Sequence, residues 1–158
     1  MRETEFVGHN LSRAKLPRIR VGGVALEYRE IPGEASDATE LVFLHSALGS
    51  ARLWEDFPDQ IADATGCSAL IYSRRGHGNS DPLPAVHDGG YLDHEALSVL
   101  PAMLRARGVD RPVLIGHSDG ATIALIAAAQ ESIEARALVL IAPHVIVEDI
   151  SVEGIGRP

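Results

Sequence analysis

Four short runs of unbroken apolar character constrain the fold of this chain. They are LVFLH (41–45), SALIYS (68–73), PVLIGH (112–117) and ARALVLIAP (135–143). A strand with one wet face alternates apolar and polar residues, whereas an unbroken run suits a strand covered on both faces. Between the runs lie segments with helical spacing. ARLWEDFPDQIADAT (51–65) places Leu53, Trp54, Phe57, Ile61 and Ala64 near one face, with Pro58 as a kink or boundary. YLDHEALSVLPAMLRARG (91–108) predicts a helix closed by Gly108, and DGATIALIAAAQES (119–132) predicts a buried one. Strand–helix alternation of this kind builds a parallel sheet through right-handed crossovers. Ahead of it, RIRVGG and VALEYREI alternate around Gly22-Gly23, which predicts an antiparallel hairpin with a tight turn. The expected class is therefore α/β, a mostly parallel sheet preceded by a hairpin.

The 158 residues are enough for one domain with a real core. We expect a polar arm over residues 1–15 and the domain over 16–158. No apolar run approaches the roughly 18–20 residues that a spanning helix needs. The first residues, MRETEFVGHN, carry charge and lack a signal-peptide core, so a cytoplasmic location and no membrane partner are expected. Cys67 is the only cysteine, which excludes an internal disulfide and a cysteine metal cluster. A net charge of −8 disfavours nucleic acid as a partner, and 4% aromatics leave no evident stacking platform.

Chemistry concentrates in VLIGHSDGAT (113–122). Ser118 stands between Gly116 and Gly120 where a strand run meets a helix run. A serine hydroxyl is a poor nucleophile until a base takes its proton and donors hold the oxyanion. A sharp strand-to-helix turn lifts the hydroxyl clear of the sheet. It also places the next amide, that of Asp119, at a helix N-terminus facing the developing charge. Such a turn crowds the backbone, which is why small residues are needed two positions either side.

With that element in place, the chain resembles the α/β-hydrolase family over nearly its whole length. FLHSALGS (43–50) is similar to the family's oxyanion loop. YSRRGHGNSD (72–81) is similar to the loop after its fourth strand, and IGHSDGA (115–121) to its nucleophile elbow. LGSARLW and APHVIVED are most similar to the branch of esterases, lactonases and carbon–carbon bond hydrolases. The resemblance implies the N-terminal portion of an α/β-hydrolase fold, with the C-terminal strands absent. It implies Ser118 as nucleophile, the backbone amides of Ala47 and Asp119 as oxyanion hole, a small-molecule substrate and no cofactor. Ser46 departs from the family's usual glycine. Ser73 departs from its usual aspartate, which puts an ion pair with Arg75 in doubt.

The remaining residues have plainer readings. His45 is expected to organise the oxyanion loop. His45, Ser46, Trp54, His117 and His144 are the pocket candidates, and His117 is expected to point away from the base position. Arg74 and Arg75 read as structural. No metal-ligand spacing occurs among the seven histidines, so no metal is expected. The resemblance orders the triad as serine, acid, histidine. Glu148 and Asp149 are the acid candidates, although a solvated charged pair is the simpler reading. His144 is the only histidine after Ser118 and stands too early to match the family's base. The expectation is a truncated serine hydrolase of ester-like substrates lacking the triad histidine. Its alternatives are an inactive binding protein and a half-domain completed by another chain, with self-association through an open sheet edge.

Overall fold

A computed structural model describes residues 15–34, 39–83 and 90–144. The polar arm up to Ala14 and the acid candidates Glu148 and Asp149 lie outside the described residues. Among the described residues six strands form one sheet: β1 (Arg18–Val21), β2 (Val24–Ile31), β3 (Glu40–Leu44), β4 (Ser68–Tyr72), β5 (Val113–His117) and β6 (Ala137–Ile141). Their spatial order is β1-β2-β4-β3-β5-β6. The hairpin turns through Gly22 and Gly23, both at positive φ, and β2 then runs antiparallel to β4. All pairings from β4 through β3 and β5 to β6 are parallel.

The unbroken runs are explained by two cores, one on each face of the sheet. Side chains alternate along a strand, so Val42, Leu44, Leu70, Tyr72 and Leu114 face one way and Leu41, Phe43, Ala69, Ile71 and Ile115 the other. The first face meets Leu100, Met103, Ile123 and Ala124 from the helices. The second meets Ala51, Trp54 and Ile61. Each fully buried large aliphatic or aromatic side chain contributes roughly 1.5–3 kcal/mol of transfer free energy. The strands at the sheet centre therefore carry much of the stability.

The helices follow the sequence pattern with two local departures. Residues 51–65 split into a 3₁₀ turn (Ala51–Trp54) and α1 (Phe57–Thr65), with Pro58 in the first turn of α1, where a missing N–H costs nothing. Residues 91–107 run as α2 (Tyr91–His94), a π-helical turn (Glu95–Val99) and α3 (Leu100–Arg107). The π turn ends two residues before Pro101, which has no N–H for the α-helical ladder. Gly108, at φ 68, closes α3 as expected. The last helix, α4 (Asp119–Ala129), is apolar nearly all round and packs on β5, β3 and β6.

The run 135–143 departs from the expected doubly covered strand. No residue of β6 is buried, and Val139 and Ile141 are 45% and 38% exposed. Its composition is that of an interior strand, but among the described residues it is the outermost one beside β5.

Candidate active site

The sheet delivers two loops to one end. β3 and β5 are parallel neighbours with Leu44 opposite Gly116. The segments that leave them, from His45 and from Ser118, therefore emerge side by side. Ser118 sits at φ 55 and ψ −117, a conformation non-glycine residues seldom adopt. Its N–H donates to the Ile141 carbonyl at 2.9 Å, and its own carbonyl accepts from Ala121 and Thr122 N–H at 2.9 and 3.1 Å. Those bonds hold a strained residue in place. Both glycines are sterically required. A Cβ on Gly116 would lie 2.4 Å from the Gly120 carbonyl oxygen, and one on Gly120 would lie 1.9 Å from that of Leu44.

Across from the elbow, the loop after β3 is held by buried polar groups. His45 Nδ1 donates to the Ser46 carbonyl at 2.7 Å, and its Nε2 accepts from the Arg74 N–H at 3.0 Å. Burial, then the charge of Arg74, push its imidazole down to about 3, so the ring stays neutral. Arg74 is itself buried and forks its guanidinium onto the carbonyls of His45 and Ser46. The Gly49 N–H closes the turn on the Ser46 carbonyl at 3.0 Å. His77 supports the loop from outside, with Nε2 2.6 Å from the Ala47 carbonyl and Nδ1 3.0 Å from that of Arg75. Ala47 therefore sits on a clamped turn with its carbonyl turned toward His77.

Ser73 forms no ion pair, but a carboxylate stands nearby. Glu27 of β2 is fully buried and accepts from Ser73 Oγ at 2.8 Å, Asn79 N–H at 3.2 Å and Asn79 Nδ2 at 2.6 Å. Burial works to raise its pKa. The hydrogen bonds from Asn79 and Ser73 and the charge of Arg52 outweigh it, so Glu27 titrates below the usual carboxylate range. Ser73 Oγ also accepts from the Ala51 N–H at 2.9 Å, which joins the loop after β4 to that after β3. Arg75 instead donates from Nε to the Pro82 carbonyl at 3.0 Å.

The pocket candidates divide between two places. His45, Ser46, Trp54 and His117 line one shallow cavity together with Leu53. Trp54 also packs edge-on against Phe43 at 5.3 Å between ring centroids. His144 lies elsewhere, with Nε2 2.8 Å from Ser118 Oγ. Its backbone N–H donates to Thr122 Oγ1 at 3.0 Å, and the Thr122 hydroxyl lies 3.2 Å from the His144 carbonyl. Asp119 is buried and accepts a hydrogen bond from the Tyr91 hydroxyl. Among the described residues, no group of three His, Cys, Asp or Glu side chains could hold a metal ion. Nor, among them, is any helix long and apolar enough to cross a membrane.

Three contributors escaped the sequence reading: Glu27, Thr122 and the closeness of His144. Glu27 is one of the polar positions of the hairpin segment VALEYREI, and nothing in that alternation singles it out. The available signal was Ser73 in place of aspartate, a missing carboxylate whose substitute belongs on a neighbouring strand.

A hydroxyl on a strained strand-to-helix turn, beside a clamped loop at the same sheet end, defines a class. Residues 40–153 match the family model described as alpha/beta hydrolase fold, and the chain belongs to that family. Among curated relatives it is similar to a proline iminopeptidase of Lactobacillus delbrueckii subsp. lactis, 31% identical over 63% of this chain and 34% of the relative. It is also similar to an sn-1-specific diacylglycerol lipase of Danio rerio, 32% identical over 75% of this chain and 36% of the relative. The chain thus spans about a third of the length of these curated relatives. Among solved structures, an alpha/beta hydrolase from Novosphingobium aromaticivorans superposes with a TM-score of 0.73 at 26% identity, covering 88% of this chain and 47% of its own. A thermophilic esterase from Thermogutta terrifontis shares the fold, with a TM-score of 0.70 at 17% identity over 90% of this chain and 50% of its own.

Proposed function

We propose that this chain carries the nucleophilic half of a serine hydrolase acting on small carboxylic ester-like substrates. The observation that carries the reading is Ser118 itself, a non-glycine residue at φ 55 between two glycines that admit no side chain. Strain of about 1–3 kcal/mol persists where surrounding structure over-determines it, and functional sites are where it collects. Ser118 Oγ attacks the carbonyl carbon, and the Asp119 and Ala47 amides receive the oxyanion. The shallow cavity beside His45, Ser46, Trp54 and His117 holds the acyl group. The hydrolase names of the relatives support a hydrolytic reaction and leave the substrate to experiment.

The test is turnover of a short-chain p-nitrophenyl ester by the purified chain and by Ser118→Ala. Loss of turnover in the variant supports the reading. Equal turnover in both would sink it.

A second reading is favoured by β6. Its exposed Val139 and Ile141 and, among the described residues, its unpaired outer edge suit completion of the sheet by further polypeptide, here a second copy of the chain. Native mass spectrometry across a dilution series tests this. A dimer whose esterase activity falls on dilution supports it, and a monomer with constant specific activity refutes it.

A further inference from the structure

We propose that the buried carboxyl of Glu95 is a pH-responsive latch that sets, through Arg74, the shape of the loop after β3. Two kinds of acceptor compete for the Arg74 guanidinium. The first is occupied: Nη1 donates to the His45 carbonyl, and Nη2 donates to the Ser46 carbonyl at 3.0 Å. The second is Glu95, whose carboxyl feels the charge of Arg74. Among the described residues no ion pair joins them, and Glu95 Oε2 is buried without a hydrogen-bond partner.

The fold puts Glu95 where its negative charge is poorly answered. It opens the π turn between α2 and α3, and both Glu95 and Ala96 are buried there. Ser132 Oγ donates to the Ala96 carbonyl at 3.0 Å, which ties the turn to the end of α4. From α2, Tyr91 also feels the carboxyl, but its hydroxyl donates to Asp119 at the start of α4. Asp93 and His94 of α2 are exposed. From β4, Tyr72 is buried, and among the described residues its hydroxyl has no partner. The cations of α3, Arg105 and Arg107, lie in its last turn, and Arg107 is paired with Glu30. Arg74 is therefore the cation that answers an ionised Glu95.

Burial pushes the Glu95 carboxyl up to about 7, against the charge of Arg74. Below that pH the neutral carboxyl leaves the guanidinium on the two carbonyls. Above it the carboxyl proton passes to solvent water and a carboxylate remains in the interior. An unpaired buried charge is costly, and a carboxylate is a stronger acceptor than a neutral carbonyl. The guanidinium is drawn toward Oε2 and away from the loop.

The loop registers the change directly. The Ser46 carbonyl and the Ala47 N–H belong to one peptide group. The same carbonyl accepts from the Gly49 N–H at 3.0 Å, which closes the turn. Withdrawing Arg74 loosens that peptide. If Ala47 is the oxyanion donor of the proposed function, the donor weakens as pH rises through about 7. That consequence rests on the proposed function, whereas the latch itself needs no catalysis. His77 is the other titratable contact of this loop, with Nε2 2.6 Å from the Ala47 carbonyl, while His45 stays neutral down to about 3.

The experiment is a nuclear magnetic resonance titration of the isotope-labelled 158-residue chain from pH 5 to 9. It follows the Glu95 carboxyl carbon and the Ala47 and Gly49 amides in wild type, Glu95→Gln and Arg74→Gln. Expected is one midpoint near 7 shared by all three signals. Exchange of the Gly49 amide, corrected for its intrinsic rate, should be about tenfold faster above the midpoint, the scale of one hydrogen bond to a charged donor. Glu95→Gln should remove that step from both amides and leave only what His77 causes. In Arg74→Gln, Glu95 should titrate at higher pH, having lost an opposing positive charge, and the amides should no longer follow it. Amides that stay fixed while Glu95 titrates overturn the latch, as they would if Tyr72 alone met the charge. So does a step that survives in Glu95→Gln, or a Glu95 that titrates in the ordinary carboxylate range. The wild-type titration decides even where a variant fails to fold. A chain that shows the latch but takes no fluorophosphonate at Ser118 removes the proposed function and leaves the latch standing.

Discussion

Gly120 offers the sharpest test of why this turn has its sequence. In a helix, alanine normally stabilises relative to glycine by roughly 0.5–1 kcal/mol. Gly120 lies in the first turn of α4 without a positive φ, so propensity alone predicts that Gly120→Ala is favourable. The packing predicts the opposite. The new Cβ would lie 1.9 Å from the Leu44 carbonyl oxygen and 2.4 Å from its carbon, where real Cβ atoms essentially never come within 3.0 Å. The start of α4 would have to retreat by about 1 Å, and the obstacle is main chain of a central strand, not a side chain that can swing aside. Overpacking costs about 1–3 kcal/mol and occasionally more, so the net expectation is a loss of about 2 kcal/mol. That corresponds to roughly 4–8 °C in Tm for a chain of this size. Denaturant unfolding followed through Trp54, the only tryptophan, reads the change. Gly108→Ala is the reference, because its φ of 68 is strained for alanine while nothing lies within 4 Å of the new Cβ. It should lose about 1 kcal/mol. A Gly120→Ala variant as stable as wild type, or less damaged than Gly108→Ala, would refute the close-approach argument. The same displacement moves the Asp119 amide, so fluorophosphonate labelling should fall by about 10²-fold, the scale of a 1 Å misplacement.

Other tests follow from the buried polar groups. Burial pushes the Glu95 carboxyl from 4.5 up to about 7, against the charge of Arg74. A raised carboxyl contributes stability that is full below about pH 4.5 and lost as pH rises through about 7. Glu95→Gln should therefore flatten the decline between those values and gain roughly 3 kcal/mol at pH 8 over wild type, read from unfolding midpoints at pH 5 and 8. Lowered groups act the other way. Neutral His45 stabilises above pH 6.5 and loses that contribution as pH falls toward about 3, with Glu27 adding to the acid limb. An acid titration of wild type and His45→Gln should differ over that window, the variant being the flatter. Glu27→Gln should cost about 1–3 kcal/mol in chemical denaturation, because donors that converge on one carboxylate lose an acceptor. Arg74→Lys removes the two-carbonyl fork under the loop after β3 and, on the proposed reading of that loop as an oxyanion hole, should slow fluorophosphonate labelling of Ser118 with little loss in melting temperature.

Much of the fold was legible because a two-faced sheet writes its burial directly into sequence. Phe43 and Leu44 adjoin in LVFLH because one faces α1 and the other the opposite helices, and both positions are dry. Gly116 and Gly120 were legible for a related reason, since local backbone crowding leaves a residue-type signature. The run 135–143 shows the limit of that logic. Apolar composition records what a strand is suited to be covered by, and β6 is half-exposed among the described residues.

The amino-acid sequence by itself determined the strand and helix order, the strained turn at Ser118 and the family that goes with them. Each depends on residues close together along the chain, whose spacing and size act locally. Tertiary structure alone decided that Glu27 of the hairpin anchors a loop 46 residues or more away through Ser73 and Asn79. It alone decided that His144 meets Ser118 across 26 residues. Both contacts come from strand register, because parallel and antiparallel pairing bring together side chains that no periodicity connects. The turn at Ser118 is therefore written locally, while the groups that meet it are set by which strands lie side by side.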